Sequence, residues 1–126
     1  MTDWGGSGST FEEGYKHDGS KLIKKFHYNT IGLSMDECVD VLKMRQPDHI
    51  KIDVDGIEHL ILKGGSRTLN KTKSVLVEVD ENFALQAEKT EEYLTKAGLR
   101  LKEKLHSDLM EKSKFKSVFN QIWEKD

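Results

Sequence analysis

His49-Ile50-Lys51-Ile52-Asp53-Val54-Asp55-Gly56-Ile57-Glu58 runs from alternating apolar residues straight into a turn lined with carboxylates. Ile50, Ile52 and Val54 are β-branched and share one face of an extended strand, while Lys51 and Asp53 share the other. Ile57, Leu60 and Ile61 then stripe a short helix over residues 57–63. Gly64-Gly65 closes it, a pair free to adopt positive φ.

Residues 74–79, Ser-Val-Leu-Val-Glu-Val, form a second, nearly continuous apolar run. Such a run suits a central parallel strand covered on both faces. It too ends in acids, Glu78 and Asp80. Between the two, residues 66–70 read as a further helical turn or a loop.

Upstream, Ser34-Met35-Asp36-Glu37 has the form of a capping box. The Ser34 hydroxyl can accept the Glu37 amide, and the Glu37 carboxylate can accept the Ser34 amide. Met35, Cys38, Val39 and Leu42 follow at helical spacing, and Pro47 sets an end near Arg45. Residues 22–33 alternate Phe26, Tyr28 and Thr30 with Lys25, His27 and Asn29, the period of a half-buried strand. Downstream, residues 84–97 are helical in composition, with Tyr93, Leu94 and Ala97 on one side and Gly98 just past the end. Residues 99–105 alternate as a strand, and residues 115–123 read as a last one.

Strands alternating with helices imply a layered α/β sheet with right-handed crossovers, and the short final connection implies an antiparallel edge. With 126 residues the chain fits one domain, preceded by a flexible Gly/Ser-rich segment over residues 1–21. Gly5-Gly6-Ser7-Gly8-Ser9 lacks the preceding strand and the following Lys-Ser/Thr pair of a phosphate-cradling loop, so it reads as surface. Twenty basic against 22 acidic residues give no global reason to expect nucleic acid or an anionic membrane as a partner. No apolar run approaches a membrane span, and the N-terminus has no signal-peptide pattern. A lone cysteine, Cys38, excludes an internal disulfide and makes the cytoplasm the expected compartment.

Ligands of open α/β sheets bind outside the carboxyl ends of parallel strands. If the two acid-ended strands are neighbours, Asp53, Asp55, Glu58, Glu78 and Asp80 crowd one edge. That crowding needs a cation, a hydrogen-bond donor or a pKa shift to offset it. For Asp55 and Glu58 two explanations stand side by side, a functional site and simple compensation of the helix dipole. Asp53 is an acid on an otherwise buried strand, and burying it needs a reason. Asp53, Asp55, Glu58 and His59 could ligate a metal, but their spacing matches no established motif, and no metal is expected. His27 lies on the polar face of its strand and could reach the site. His17, His49 and His106 are expected to be solvent-exposed.

The turn and its flanks resemble a known family. Ile50-Lys51-Ile52-Asp53-Val54-Asp55-Gly56-Ile57-Glu58, followed by Leu62-Lys63-Gly64-Gly65, is similar to the "KIDVEG-x-E" and "LKG" signature of the FkbM methyltransferases. Leu33-Ser34-Met35-Asp36-Glu37 resembles the family's "TLDEL" helix start, and Val75-Leu76-Val77-Glu78-Val79 its next strand. Lys96-Ala97-Gly98-Leu99 resembles its "GY" helix end, and Asn120-Gln121-Ile122-Trp123 its closing strand, so the likeness spans residues 30–123. One departure is Asp55 where the family usually has Glu, which keeps the charge and shortens the reach.

The resemblance implies a Rossmann-like class I methyltransferase sheet. It implies S-adenosylmethionine as cofactor and methyl transfer to a hydroxyl of a sugar or secondary metabolite. Asp53 would orient or deprotonate the acceptor, and Asp53 and Val54 would lie beside the cofactor. Asp55 would share the catalytic edge, Glu58 would position the turn or substrate, and His27 or His59 would be reserve bases. In this fold the cofactor is held mainly by the first half of the sheet, and the chain reads as the C-terminal half. It is then expected to need a second chain, or a second copy, to complete the sheet. The alternative is a non-catalytic remnant or interaction module that pairs through an open sheet edge.

Overall fold

A computed structural model of the chain describes residues 19–21, 28–106, 111, 113 and 115–126. Its elements are α1 (Met35–Asp40), β1 (His49–Ile52), α2 (Glu58–Lys63), α3 (Ser66–Leu69), β2 (Ser74–Asp80), α4 (Ala84–Lys96), β3 (Arg100–Leu105) and β4 (Val118–Glu124). The four strands form one sheet in the order β1-β2-β4-β3. β1 and β2 run parallel, with Ile52 opposite Val77. β4 runs antiparallel to both β2 and β3. The sheet is therefore mixed, with one parallel pair, and is compatible with a methyltransferase-like fold.

The expected antiparallel edge is present: the last two strands of the chain, β3 and β4, pair antiparallel at one side of the sheet. β4 lies inside the sheet and β3 is its edge. Val118, Gln121 and Trp123 of β4 are buried, whereas every residue of β3 is exposed. The longer apolar strand takes the doubly paired position because it has more surface to remove from water. A register shift between Leu101 and Glu103 interrupts the β3 pairing. With Arg100, Lys102 and Lys104 it blunts that edge against further pairing.

Register sorts the faces. Ile52, Val77 and Gln121 lie in one row, and Val75 and Trp123 in the next, on the face toward the helices. Leu62 of α2, Leu69 of α3 and Leu94 of α4 pack against Val75, Val77 and Val79 to make the core. Lys51, Leu76 and Ile122 lie in one row of the opposite face, with Glu78 and Asn120 in another. Leu76 and Glu78 are only half-buried, so β2 alternates and is not covered equally on both faces as its composition suggests.

The capping box at Ser34 is formed. Ser34 N donates to Glu37 Oε2 at 2.8 Å, and Glu37 N donates to Ser34 Oγ at 3.2 Å. The helix it opens is shorter than expected. It stops at Asp40, with Lys43 turned left-handed at φ 56°, and leaves Val41, Leu42 and Met44 exposed. Apolar spacing alone could not extend it where no neighbour covers that face. Residues 28–33 form no strand, with Tyr28 72% and Ile31 90% exposed. The rest of that expected strand, His27 included, lies outside the described residues, as does the segment 1–18.

The two helix-ending glycines at 98 and 64 differ. Gly98 takes φ +81° and completes a Schellman motif. Its amide donates to Thr95 O at 2.9 Å, and Leu99 N donates to Leu94 O at 3.0 Å. Gly64 keeps φ −80°, so positive φ is not its purpose. A Cβ on Gly65 would sit 2.1 Å from Met35 Cε, and one on Gly64 3.0 Å from Ser34 Cβ. The pair is small because α1 seats against it.

Asp36 ties α1 to α3. Its carboxylate accepts from Thr68 N at 2.8 Å, Thr68 Oγ1 at 2.7 Å and Arg67 N at 3.2 Å, filling the capping role that Gly65 cannot. Burial pushes the Asp36 carboxyl up. The Thr68 side-chain and backbone bonds, the Arg67 amide and the Arg67 charge outweigh it and hold the group below its usual 3.8. A carboxyl lowered on folding adds stability above its unfolded pKa and loses it as pH falls through the folded one. Asp36→Ala should cost about 1–2 kcal/mol near neutrality in urea unfolding, and the difference from wild type should shrink below about pH 4.

Candidate functional site

β1 ends at Ile52, and the chain turns through Asp53-Val54-Asp55-Gly56 before α2. Asp55 takes φ +58° and Gly56 φ +112°. A left-handed aspartate followed by a left-handed glycine makes a tight reversal, and only Gly takes the second angle without strain.

Glu58, the first residue of α2, reaches back into this turn and is 1% exposed. Its carboxylate accepts from Val54 N at 3.1 Å and from Gly56 N at 3.0 Å. Gln86 Nε2 of α4 also donates to it. Burial raises the Glu58 carboxyl above its ordinary value. The backbone bonds from Glu58 itself and Val54, the Gln86 amide and the Gly56 amide pull it back down. Glu58 thus does more than favour a helix N-terminus: it closes the turn on itself.

Asp53 lies the other way. Its side chain is 44% exposed and pairs with Lys51 Nζ at 2.9 Å on the face away from the helices. The expectation that burial of Asp53 demands a function is corrected. β1 presents odd-numbered positions outward, and the buried acid of the turn is Glu58. Asp55 is exposed and Val54 half-buried.

β2 brings its own acids to the same edge. Glu78 follows Val77, the partner of Ile52, so it stands beside Asp53 on the outward face. Burial, then the charges of Asp53, Glu58 and Asp55, push its carboxyl up to about 6, with Lys51 opposing. Asp80 is buried, and its Oδ1 accepts Asn82 N at 3.0 Å in the link to α4. Five acids therefore gather at two neighbouring strand ends, in two roles. Glu58 and Asp80 bond backbone amides, while Asp53, Asp55 and Glu78 line the surface.

The histidines divide similarly. His59 is buried and meets Phe83 edge-on, with ring centroids 5.7 Å apart. His49 is exposed, with Nδ1 2.7 Å from Ser74 Oγ. His106 is not solvent-exposed as expected: it is half-buried and stacks on Phe119 at 4.7 Å. His17 and His27 lie outside the described residues. Among the described residues no group of three His, Cys, Asp or Glu is arranged to hold a metal ion. A groove of about 580 Å³ runs between α4 and the β3–β4 pair, lined by Ala87, Leu99, Leu101 and Trp123, and none of the turn acids lines it.

Gln86 is the residue that pattern reading passes over. It sits with Thr90 and Leu94 at i, i+4 and i+8 on the buried side of α4. Two polar residues on a core stripe are the available signal, since a buried amide needs partners.

Comparison with family models matches residues 5–101 to the Methyltransferase FkbM domain. The chain belongs to the FkbM methyltransferase family. The match begins ahead of the likeness noted from residue 30 and stops short of β4. The family uses S-adenosylmethionine in general. Neither the curated proteins nor the solved structures yield a match. No helix among the described residues is long and apolar enough to cross a membrane.

Glu78 makes the crowding measurable. Its carboxyl moves from 4.5 to about 6 on folding, so the native state binds the proton more tightly and stability falls as pH rises between those values. Urea unfolding of wild type and Glu78→Gln at intervals from pH 4 to 7 should show wild type losing about 1 kcal/mol relative to the variant across that window, after allowance for solvent screening. Parallel curves would show that neither burial nor the neighbouring acids raise Glu78 on folding.

Proposed function

We propose that the chain is the acceptor-side part of an S-adenosylmethionine-dependent O-methyltransferase acting on a hydroxyl of a sugar or secondary metabolite. The FkbM domain match carries this reading. The electrostatics of the turn support it. Asp53, Asp55 and Glu78 put more negative charge at the strand ends than Lys51 offsets. A cationic sulfonium fits that surplus better than an anion would.

S-adenosylmethionine, when bound, supplies an electrophilic methyl group. Asp53 and the half-buried Val54 would line the wall beside it, in a turn shaped by the positive φ of Asp55 and Gly56. Asp53 orients the acceptor hydroxyl by accepting its hydrogen bond. Glu78, its carboxyl pushed up to about 6, takes the hydroxyl proton near neutral pH. Asp55 adds to the negative field, and Glu58, spent on backbone amides, keeps the turn in shape. His59 is a reserve base from the helix side, and His27 remains a candidate outside the described residues.

β1 stands at one end of the order of the four described strands. A second copy, or another chain that adds a strand there, is the partner this reading implies. A purely non-catalytic interaction module would use the same edge without cofactor.

Calorimetric titration of the purified chain with S-adenosylmethionine, alongside its mass in solution, tests the proposal. Saturable binding is expected from the assembled species. Asp53→Asn should lower the rate of labelled-methyl transfer to sugar hydroxyls about a hundredfold. Absence of binding by monomer and dimer alike would leave the interaction module as the better account.

A further inference from the structure

Gln86 spends both ends of its side-chain amide, and it spends them on the two strand ends that carry the acids. Nε2 donates to Glu58 Oε2, and Glu58 in turn holds the Val54 and Gly56 amides of the turn after β1. Oε1 accepts from the Asp80 amide at the end of β2 at 2.8 Å. The residue is 2% exposed, and burying an amide in a core is unfavourable unless each end is bonded. Met would fill the same volume without that demand. The residue type therefore answers a geometric need that packing alone does not create.

The short link from β2 to α4 sets this up. Phe83 N donates to Asp80 O at 2.9 Å and Ala87 N to Phe83 O at 3.1 Å, so α4 starts directly under the strand end. Its third residue then lies between the two strand ends.

We propose that Gln86 is a positioning residue of the methyl-transfer site, fixing the separation of the Asp53–Asp55 turn from the Glu78–Asp80 strand end. It touches neither Asp53 nor Glu78 among its hydrogen bonds and acts through Glu58 and the Asp80 backbone. The functional part of this inference rests on the methyl-transfer reading; the coupling of the two strand ends does not.

The test is NMR on the full chain, with Gln86→Met and Gln86→Glu. Gln86→Met keeps the volume and removes both bonds. The Val54, Gly56 and Asp80 amides should then exchange about tenfold faster or more while the β2–β4 amides stay protected. The Glu78 carboxyl, which faces Asp53, Asp55, Glu58 and Lys51, should titrate closer to the ordinary carboxylate range as the acids separate. Gln86→Glu accepts from Asp80 N in either charge state but donates to Glu58 only while protonated. It should show wild-type turn signals in acid and Gln86→Met-like signals above neutrality.

Unchanged turn amides and an unchanged Glu78 midpoint in Gln86→Met would reduce Gln86 to core filling and overturn the proposal. If Gln86→Met does not fold, turn signals in Gln86→Glu that ignore pH overturn it equally. Where wild type binds S-adenosylmethionine, Gln86→Met should weaken binding about tenfold, and equal affinity would remove the functional role. The amide and titration measurements need no cofactor, so a failure of the methyl-transfer reading leaves a different record from a failure of the coupling.

Discussion

A single buried carboxylate organises the acidic edge of this protein. Glu58 is almost fully removed from water, so it must be surrounded by donors or be protonated. The donors it finds are the Val54 and Gly56 amides and the Gln86 side chain. To bring those two amides to one point the chain must reverse through left-handed Asp55 and Gly56. That reversal sets where β1 stops and where α2 begins. The Gln86 bond then fixes α4 against α2, and the other end of the same amide fixes α4 to β2. β1, α2, β2 and α4 thus meet around one charge that is satisfied only in this arrangement. Polar networks of this sort specify a unique geometry more than they add stability, because any slip strands a buried polar group.

The outward acids depend on that inner one. With the turn closed by Glu58 and the strands in parallel register, Asp53 and Glu78 stand side by side on the face away from the helices. Burial first, and then the neighbouring acids whose charge Lys51 answers only in part, make Glu78 hold its proton more tightly. The division of labour is therefore physical. Buried acids bond the backbone and hold shape, and half-exposed acids carry an unbalanced field to the surface. On the methyl-transfer reading that field is what meets a sulfonium and a hydroxyl proton, while the groove along α4 stands apart from it.

Much of the helical layer was legible residue by residue. Ser34 and Glu37 form the capping box their spacing announces, and Gly98 ends α4 in positive φ. These features are local: each depends on residues within one turn of each other. The even-odd alternation of β1 was legible too, including the outward direction of Asp53. Its exposure was not, because burial depends on what covers a face. The same limit explains Gly64 and Gly65, whose size answers to Met35 and Ser34 across α1, and α1 itself, which ends where its neighbours end. It also explains Gln86, which looks like an ordinary helix former until both strand ends are in place.

By itself the sequence determined the alternation of strands and helices from α1 onward, the turn chemistry at Asp55-Gly56, the acids at two strand ends and membership of the FkbM family. Those rest on local periodicity, on backbone angles open to few residues, and on linked motifs. Only the tertiary structure decided that β4 inserts between β2 and β3, that Glu58 rather than Asp53 is the buried acid, and that Gln86 joins the two acidic ends. Strand order is settled by competition for burial among segments distant in the chain. The character of each carboxylate is settled by which donors and charges arrive beside it, and no spacing along the chain records either.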